Sequence, residues 1–295
     1  KIFLFFENSY RLKKFLEYHW VIIYIEIYIL SMNSKNIKNL KTVILAGGLG
    51  TRLSEETNLK PKPMVEIGGK PILWHIMKIY SHYGLTDFII CVGYKGFVIK
   101  EYFANYFNHM SDITYDLKKN KYTIHRKLAE PWSVTVIDTG DESNTGGRIK
   151  RIEKYIKEEN FFLTYGDGVS DIDINKLYTF HKNHKKAATL TAVQPANRYG
   201  ILEIEGDKVK TFNEKPTQVN NWVNGGFFVL NRSIFKYIKD DLTIWEGEPL
   251  RKISKNNQLM AYKHKGFWQS MDTLREKNYL EKLWIDKESP WKVWN

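Results

Sequence analysis

The chain has 295 residues, 43% of them hydrophobic and 26% charged, with 45 basic against 33 acidic side chains for a net charge of +12. That length buries a real core in one large or two small domains, and the balance excludes a disordered or fibrous chain. The 36 lysines and 9 arginines are scattered and form no basic stripe, so nucleic acid is not the expected partner; the single cysteine, Cys91, excludes an internal disulfide and points to a reducing, cytoplasmic setting.

Residues 1–40 differ from the rest. The sequence begins at Lys1 and its first methionine is Met32. The apolar run Trp20–Leu30 is broken by Glu26 and falls well short of the ~20 residues a membrane span needs. Arg11, Lys13 and Lys14 precede it as in a signal peptide, but Ser31-Met32-Asn33-Ser34 is not a small-x-small cleavage site. The segment reads as translation upstream of a start at Met32, with a genuine extension or a membrane-proximal helix as the alternative. No stable membrane association is expected, and residues 41–295 are expected to form a single domain.

From Lys41 the pattern is regular. Lys41–Ala46 is a short β-branched run ending in glycines and predicts a buried strand. Pro71 opens a helix with Ile72, Ile76, Ile79, Tyr80 and Tyr83 at helical spacing, and Gly84 closes it. Phe88–Val92 predicts a second buried strand and Lys95–Asn108 a helix. A strand at Phe161–Tyr165, a helix near Asp173–His184 and a strand at Ala187–Val193 follow. Ile201–Glu205 and Val209–Asn213, joined through Gly206-Asp207, predict a hairpin. Asn224–Leu230 and Leu259–His264 are further strands, and a helix follows Asp272. The alternation predicts an α/β fold: a mostly parallel, doubly wound, Rossmann-like sheet with a small β-hairpin insertion.

The chemistry is concentrated at strand ends, where such sheets bind ligands. Leu45-Ala-Gly-Gly-Leu-Gly-Thr-Arg-Leu53 directly follows the first strand. Its glycines let backbone N–H groups approach phosphate oxygens, and Arg52 adds a fixed cation. It matches neither G-x-x-x-x-G-K-[ST] nor G-x-G-x-x-G, and a plain glycine turn is the alternative. Lys62 lies between Pro61 and Pro63, so its backbone is stiff and its ammonium aimed; a solvated lysine in a proline turn is the alternative. Asp167, between Gly166 and Gly168, and Asp272 are each open to two readings, helix cap or Mg²⁺ ligand. Asp171-Ile172-Asp173 fits the D-x-D of metal-dependent glycosyltransferases, but stands where a helix start needs a cap. The histidines are scattered, and no His or Cys cluster has zinc spacing.

In order, Gly-Gly-x-Gly-Thr-Arg-Leu, Lys-Pro-Lys-Pro-Met, Gly-Asp-Gly, Glu-Lys-Pro and Asn-Gly-Gly resemble the sugar-phosphate nucleotidylyltransferases. Longer runs, including Thr51–Leu73, Gly93–Phe107, Thr145–Arg148 and Gly266–Arg275, are similar to the glucose-1-phosphate cytidylyltransferase branch of that family. The resemblance covers residues 41–294. It implies the fold of nucleotide-diphospho-sugar transferases, CTP and glucose 1-phosphate as substrates, Mg²⁺ as cofactor and a homo-oligomer, hexameric in the family. It also implies CDP-glucose supply for a bacterial surface polysaccharide.

Residue by residue, the resemblance implies that Leu45, Ala46, Gly47, Gly48, Leu49, Gly50, Thr51 and Arg52 hold nucleotide and triphosphate, with Arg52 favouring pyrophosphate departure. Lys62 would bridge phosphates in the transition state. Ser143, Arg148 and Gly166 would contact nucleotide, and Asp167 with Asp272 would hold Mg²⁺. Lys215 and Asn224 would bind the glucose phosphate, and Glu214 would be a further substrate-binding position. The rivals are a relative using UTP or dTTP, a glycosyltransferase built on Asp171 and Asp173, and a non-catalytic sugar-nucleotide-binding relative.

Overall fold

The computed structural model describes residues 37–195, 201–205, 208–213 and 222–294. Of the expected leader only 37–40 are among them, and there Ile37 and Leu40 are buried in the core. Seven strands build the central sheet: β1 (Lys41–Ala46), β2 (Asp87–Val92), β3 (Ser133–Asp138), β4 (Asn160–Tyr165), β5 (Ala188–Val193), β6 (Val223–Asn231) and β7 (Leu259–Lys263). Across the sheet their order is β7-β5-β6-β4-β1-β2-β3. All neighbours pair parallel except β6, which runs antiparallel to both β4 and β5. The predicted hairpin is present as Ile201–Glu205 against Lys208–Asn213.

The central strands are apolar on both sides because both faces are covered. Val43 and Leu45 of β1 enter one core while Ile44 and Ala46 enter the other; Ile89 and Cys91 of β2 alternate with Phe88, Ile90 and Val92 in the same way. Six helices supply the outer layers: α1 (Ile72–His82), α2 (Gly96–His109), α3 (Thr145–Arg151), α4 (Ile174–His184), α5 (Glu248–Lys255) and α6 (Leu274–Ile285). Apolar residues of α1, α2, α4 and α6 fill the first core; Ile149 of α3 with Leu250 and Ile253 of α5 fill the second. Truncating a fully buried member such as Ile90 to alanine costs about 2–5 kcal/mol. Burial pushes the Cys91 thiol up to about 12, so it is a packed, unreactive side chain.

Helix ends follow the local chemistry. Pro71 caps α1 with extended ψ 144°, and Gly84 at φ +87° ends it, with Leu85 N–H donating to Tyr80 O. Asp173 caps α4 by accepting from Lys176 N–H. Thr273 and Glu276 form a capping box at the start of α6.

One topological feature positions the site. From β1 the chain runs outward through β2 and β3, then returns to β4 on the other side of β1. The loops after β1 and β4 therefore face each other beyond the carboxyl ends of adjacent parallel strands, where a crevice opens. Beyond β4, Gly168–Ser170 pairs antiparallel with Trp268–Ser270, which leads into α6. Among the described residues no helix is long and apolar enough to cross a membrane.

Candidate active site

The loop Gly47–Gly50 turns from β1 into a 3-10 turn at Thr51–Leu53. Gly50 holds φ +66°, and a Cβ there would stand 2.8 Å from Thr57 Cγ2, so the turn needs a glycine. The Thr57 hydroxyl donates to Gly50 O at 3.1 Å and Leu53 O at 3.0 Å, which fixes the turn. Leu45, Ala46, Gly47, Gly48 and Gly50 form one wall of a cleft of about 290 Å³. Ser143, Arg148, Gly166 and Asp167 line it too, as does Lys62. Gly166 N–H donates to Leu45 O at 3.0 Å, holding the β1 and β4 loops together.

Lys62 opens a one-turn 3-10 segment behind Pro61, whose ψ of 149° keeps the entry extended. Pro63 and Met64 are buried, so the backbone is anchored and the ammonium points into the cleft. Its Nζ donates to Asp167 Oδ2 at 2.6 Å and to Asp272 Oδ1 at 2.7 Å, with the lysine side chain only 12% exposed. These partners lie 105 and 210 residues away. The ribbon of Gly168–Ser170 with Trp268–Ser270 brings them together, and Met271 N–H donates to Asp167 O at 2.8 Å. Burial works against the charge on Lys62, but the attraction and hydrogen bonds of Asp167 and Asp272 outweigh it and raise its pKa. Burial likewise opposes ionisation of Asp272, and the Lys62 contact outweighs it, holding the carboxyl below the usual range. Arg52, 78% exposed, reaches within 3.8 Å of the same Asp272 oxygen.

The cap readings of both aspartates fail on this geometry. Asp272 stands one residue before the cap of α6, which is Thr273, and its carboxylate is on Lys62. Asp167 sits between two strands, with no helix to cap. Asp171 and Asp173 do not converge on the cleft: Asp171 Oδ1 is 2.9 Å from His264 Nε2, and Asp173 is the α4 cap.

Arg148 is a different kind of cation. The residue is 4% exposed, and its guanidinium donates to Gly47 O, Val92 O, Gly140 O, Asp141 O and Thr139 Oγ1 at 2.7–3.3 Å. It thereby ties together the loops that follow β1, β2 and β3. Burial pulls its pKa below the ordinary arginine value, though a guanidinium stays protonated in proteins. It lies flat against Gly47: a Cβ at that position would stand 2.2 Å from Nη1.

Other anticipated residues divide. Leu49 is 57% exposed and Thr51 is exposed, and neither lines the cleft. Asn224 donates from Nδ2 to Tyr165 OH at 3.2 Å, beside the cleft. Glu214 and Lys215 lie outside the described residues. Other residues of the site were not anticipated, Pro63 and Asn144 of the cleft lining among them. Tyr165 and Thr145 line the cleft, and both donate their hydroxyls to Glu246, Thr145 at 2.7 Å. Tyr165 immediately precedes Gly-Asp-Gly and Thr145 opens Thr-Gly-Gly-Arg, so both stood beside visible motifs; Glu246 carried no signal.

The family model described as nucleotidyl transferase matches residues 41–284. Glucose-1-phosphate cytidylyltransferase of Salmonella typhi is 60% identical over 256 residues, covering 86% of this chain and 100% of that protein. The probable glucose-1-phosphate cytidylyltransferase of Bacillus subtilis is 44% identical over 258 residues, covering 86% of this chain and all of that protein. Among solved structures, HddC from Yersinia pseudotuberculosis aligns with TM-score 0.60 at 26% identity, covering 83% of this chain and 99% of that one. A UDP-glucose pyrophosphorylase complexed with UDP-glucose shares the fold, with TM-score 0.61 at 18% identity over 84% of this chain and 99% of that one.

Proposed function

The chain belongs to the nucleotidyl transferase family, and on that premise we propose that it transfers the cytidylyl group of CTP to α-D-glucose 1-phosphate, giving CDP-glucose and pyrophosphate. A phosphate oxygen of the sugar phosphate attacks the α-phosphorus of CTP. The bond from that phosphorus to the bridging oxygen breaks in line, and pyrophosphate leaves with the electron pair. Such a reaction rests on positioning and on stabilising charge, with no covalent enzyme intermediate needed. The observation that carries the reading is Lys62, aimed into a glycine-walled cleft with Asp167 and Asp272 on its ammonium.

We assign the Gly47–Arg52 loop, Ser143, Arg148 and Gly166 to the nucleotide and its phosphates. Lys62 and Arg52 meet the charge that accumulates as pyrophosphate departs. Asn224 and Lys215 take the sugar phosphate, with Glu214 a further substrate-binding position. The chemistry of the carboxylate pair suits Mg²⁺. Asp167 and Asp272 present hard oxygens to one point that a cation already occupies, and Mg²⁺ commonly takes one or two carboxylates beside substrate phosphates. Bound there, Mg²⁺ would neutralise phosphate charge. Among the described residues no cluster of three or more His, Cys, Asp or Glu could hold a metal alone, so phosphates and water would complete its shell.

The reading predicts that, with glucose 1-phosphate, CTP gives a higher kcat/KM for pyrophosphate release than UTP, dTTP or GTP. The 60% identity to a cytidylyltransferase over the whole of that protein supports this choice. A clear preference for another nucleotide would overturn the choice of base and leave the reaction type standing. Absence of pyrophosphate release with every nucleotide would overturn the reaction itself. A glycosyltransferase on Asp171 and Asp173 has no support from the site, since both carboxylates are engaged elsewhere.

A further inference from the structure

We propose that Lys62 is the resident counter-cation of the carboxylate pair: in the nucleotide-free protein its ammonium fills the seat of the divalent ion, so that metal entry and release of Lys62 are one event. This rests on the assignment of Asp167 and Asp272 to a metal made above. The ammonium stands 2.6 Å and 2.7 Å from one oxygen of each carboxylate, in a pocket that leaves the lysine side chain 12% exposed. Two carboxylates facing one point repel unless a cation sits between them, and Lys62 supplies it. The same two oxygens cannot hold an ammonium and a divalent ion together without close repulsion between the two cations.

Movement of the ammonium is confined to the side chain. Pro61 and Pro63 hold the backbone, and Val65 N–H donates to Lys62 O at 3.0 Å. The displaced ammonium must find another anion within reach of its stem, inside the cleft that Lys62 lines with Gly48 and Gly50. The triphosphate of a nucleotide in that cleft supplies one. The arrangement therefore disfavours metal uptake by the empty protein and favours it once nucleotide is bound. Lysine suits such an exchange better than arginine, being a flexible point charge rather than a rigid fork.

Mn²⁺ titration followed by electron paramagnetic resonance tests this without turnover. Without nucleotide, Lys62→Met should bind Mn²⁺ at least ~10-fold more tightly than wild type, because the seat is empty. Lys62→Gln carries the same expectation should the methionine variant fold poorly. Arg52→Met removes a charge 3.8 Å from the same Asp272 oxygen but empties no seat, so its gain should stay below ~3-fold. Asp272→Asn added to Lys62→Met should abolish the gain. The inference is overturned if neither Lys62 variant binds Mn²⁺ more tightly than wild type, or if Arg52→Met matches them, which would reduce the effect to a general field. If CTP-loaded wild type takes up no Mn²⁺ at all, the metal assignment itself falls and the inference with it; if it does, and only the Lys62 gain is missing, the assignment survives.

Discussion

Of two cations that line the cleft, Lys62 is gripped by two carboxylates and Arg148 by four backbone carbonyls and a threonine hydroxyl. The first cation is neutralised by ions, and ions can be exchanged for other ions. Phosphate oxygens compete with carboxylates on equal chemical terms. The second is held by neutral dipoles belonging to three different loops, and no ligand replaces those without opening the loops. Two positive charges bordering one cleft thus have separate duties. On the function proposed above, Lys62 belongs to the reacting machinery and Arg148 fixes the shape of the cleft.

Four measurements break or sharpen that contrast. Lys62→Ala should lower kcat by ~10²-fold or more with a smaller change in KM for CTP, the scale of losing one preorganised charge-stabilising donor. Lys62→Arg should recover only part. A raised KM with near-normal kcat would make Lys62 a ground-state anchor and erase the distinction. Next, Asp167→Asn and Asp272→Asn should each lower turnover by ~10-fold or more and weaken its Mg²⁺ dependence, while the double variant loses less than the product of the two. Multiplicative effects would show that the carboxylates act separately.

Arg148→Met should act first on the fold. It strips hydrogen bonds from several buried carbonyls at about 1–3 kcal/mol for each acceptor left unsatisfied. Urea unfolding should show a loss of ~3 kcal/mol, and KM for CTP should rise by a larger factor than kcat falls. Unchanged stability with a collapse of kcat would move Arg148 into the reacting machinery.

The smallest effect on activity is expected outside the cleft, at His75, which provides a control for a purely structural titratable group. Its Nε2–H donates to Ile67 O at 2.9 Å, and its Nδ1 accepts from Trp291 Nε1–H at 3.3 Å. Burial lowers its pKa to about 4, and protonation would set two N–H donors against each other. Between about pH 6.5 and 4 the unfolded chain takes up this proton and the folded one does not, so stability falls as pH falls through that window. The total loss across that window amounts to roughly 3 kcal/mol at most, most of it seen as a drop in urea midpoint from pH 7 to pH 4.5. His75→Gln should flatten that part of the curve without altering kcat at pH 7.

Much of the frame was legible because the central strands carry continuous apolar runs that end in glycines. Lys41–Ala46, Phe88–Val92 and Phe161–Tyr165 named three neighbouring strands and therefore the ends where chemistry sits. The edge was not legible. In β3, Ser133–Asp138, exposed and half-buried residues alternate with no apolar run, because one side of an edge strand meets solvent. The hairpin Ser111–Asp116 with Lys121–Lys127 is mostly exposed and carries little pattern. Helix α3 was hidden by Gly146 and Gly147, poor helix formers, which are packed directly on the backbone of Asp241 and Thr243. The antiparallel direction of β6 has no signature in its own residues. Within the site, the prolines announced that Lys62 was aimed, but its target could not be read from spacing. The aspartates stood out only by their glycines and by resemblance, and the ribbon that joins them is two strands of three residues.

The contact between Arg148 and the glycine loop also bears on how this sequence can drift. Gly47 has no positive φ, so its backbone does not by itself demand a glycine. The demand comes from 101 residues away, where the guanidinium fills the volume of any side chain at that position. Gly93 is crowded by the same group, its Cβ position lying 2.5 Å from Nη1, and also by Gly140 O at 2.8 Å. Positions 47, 93 and 148 therefore form one unit of inheritance. Homologues that keep the arginine should keep both glycines, and those with a smaller residue at 148 should be free to carry alanine at 47, while the Gly140 carbonyl still bars it at 93.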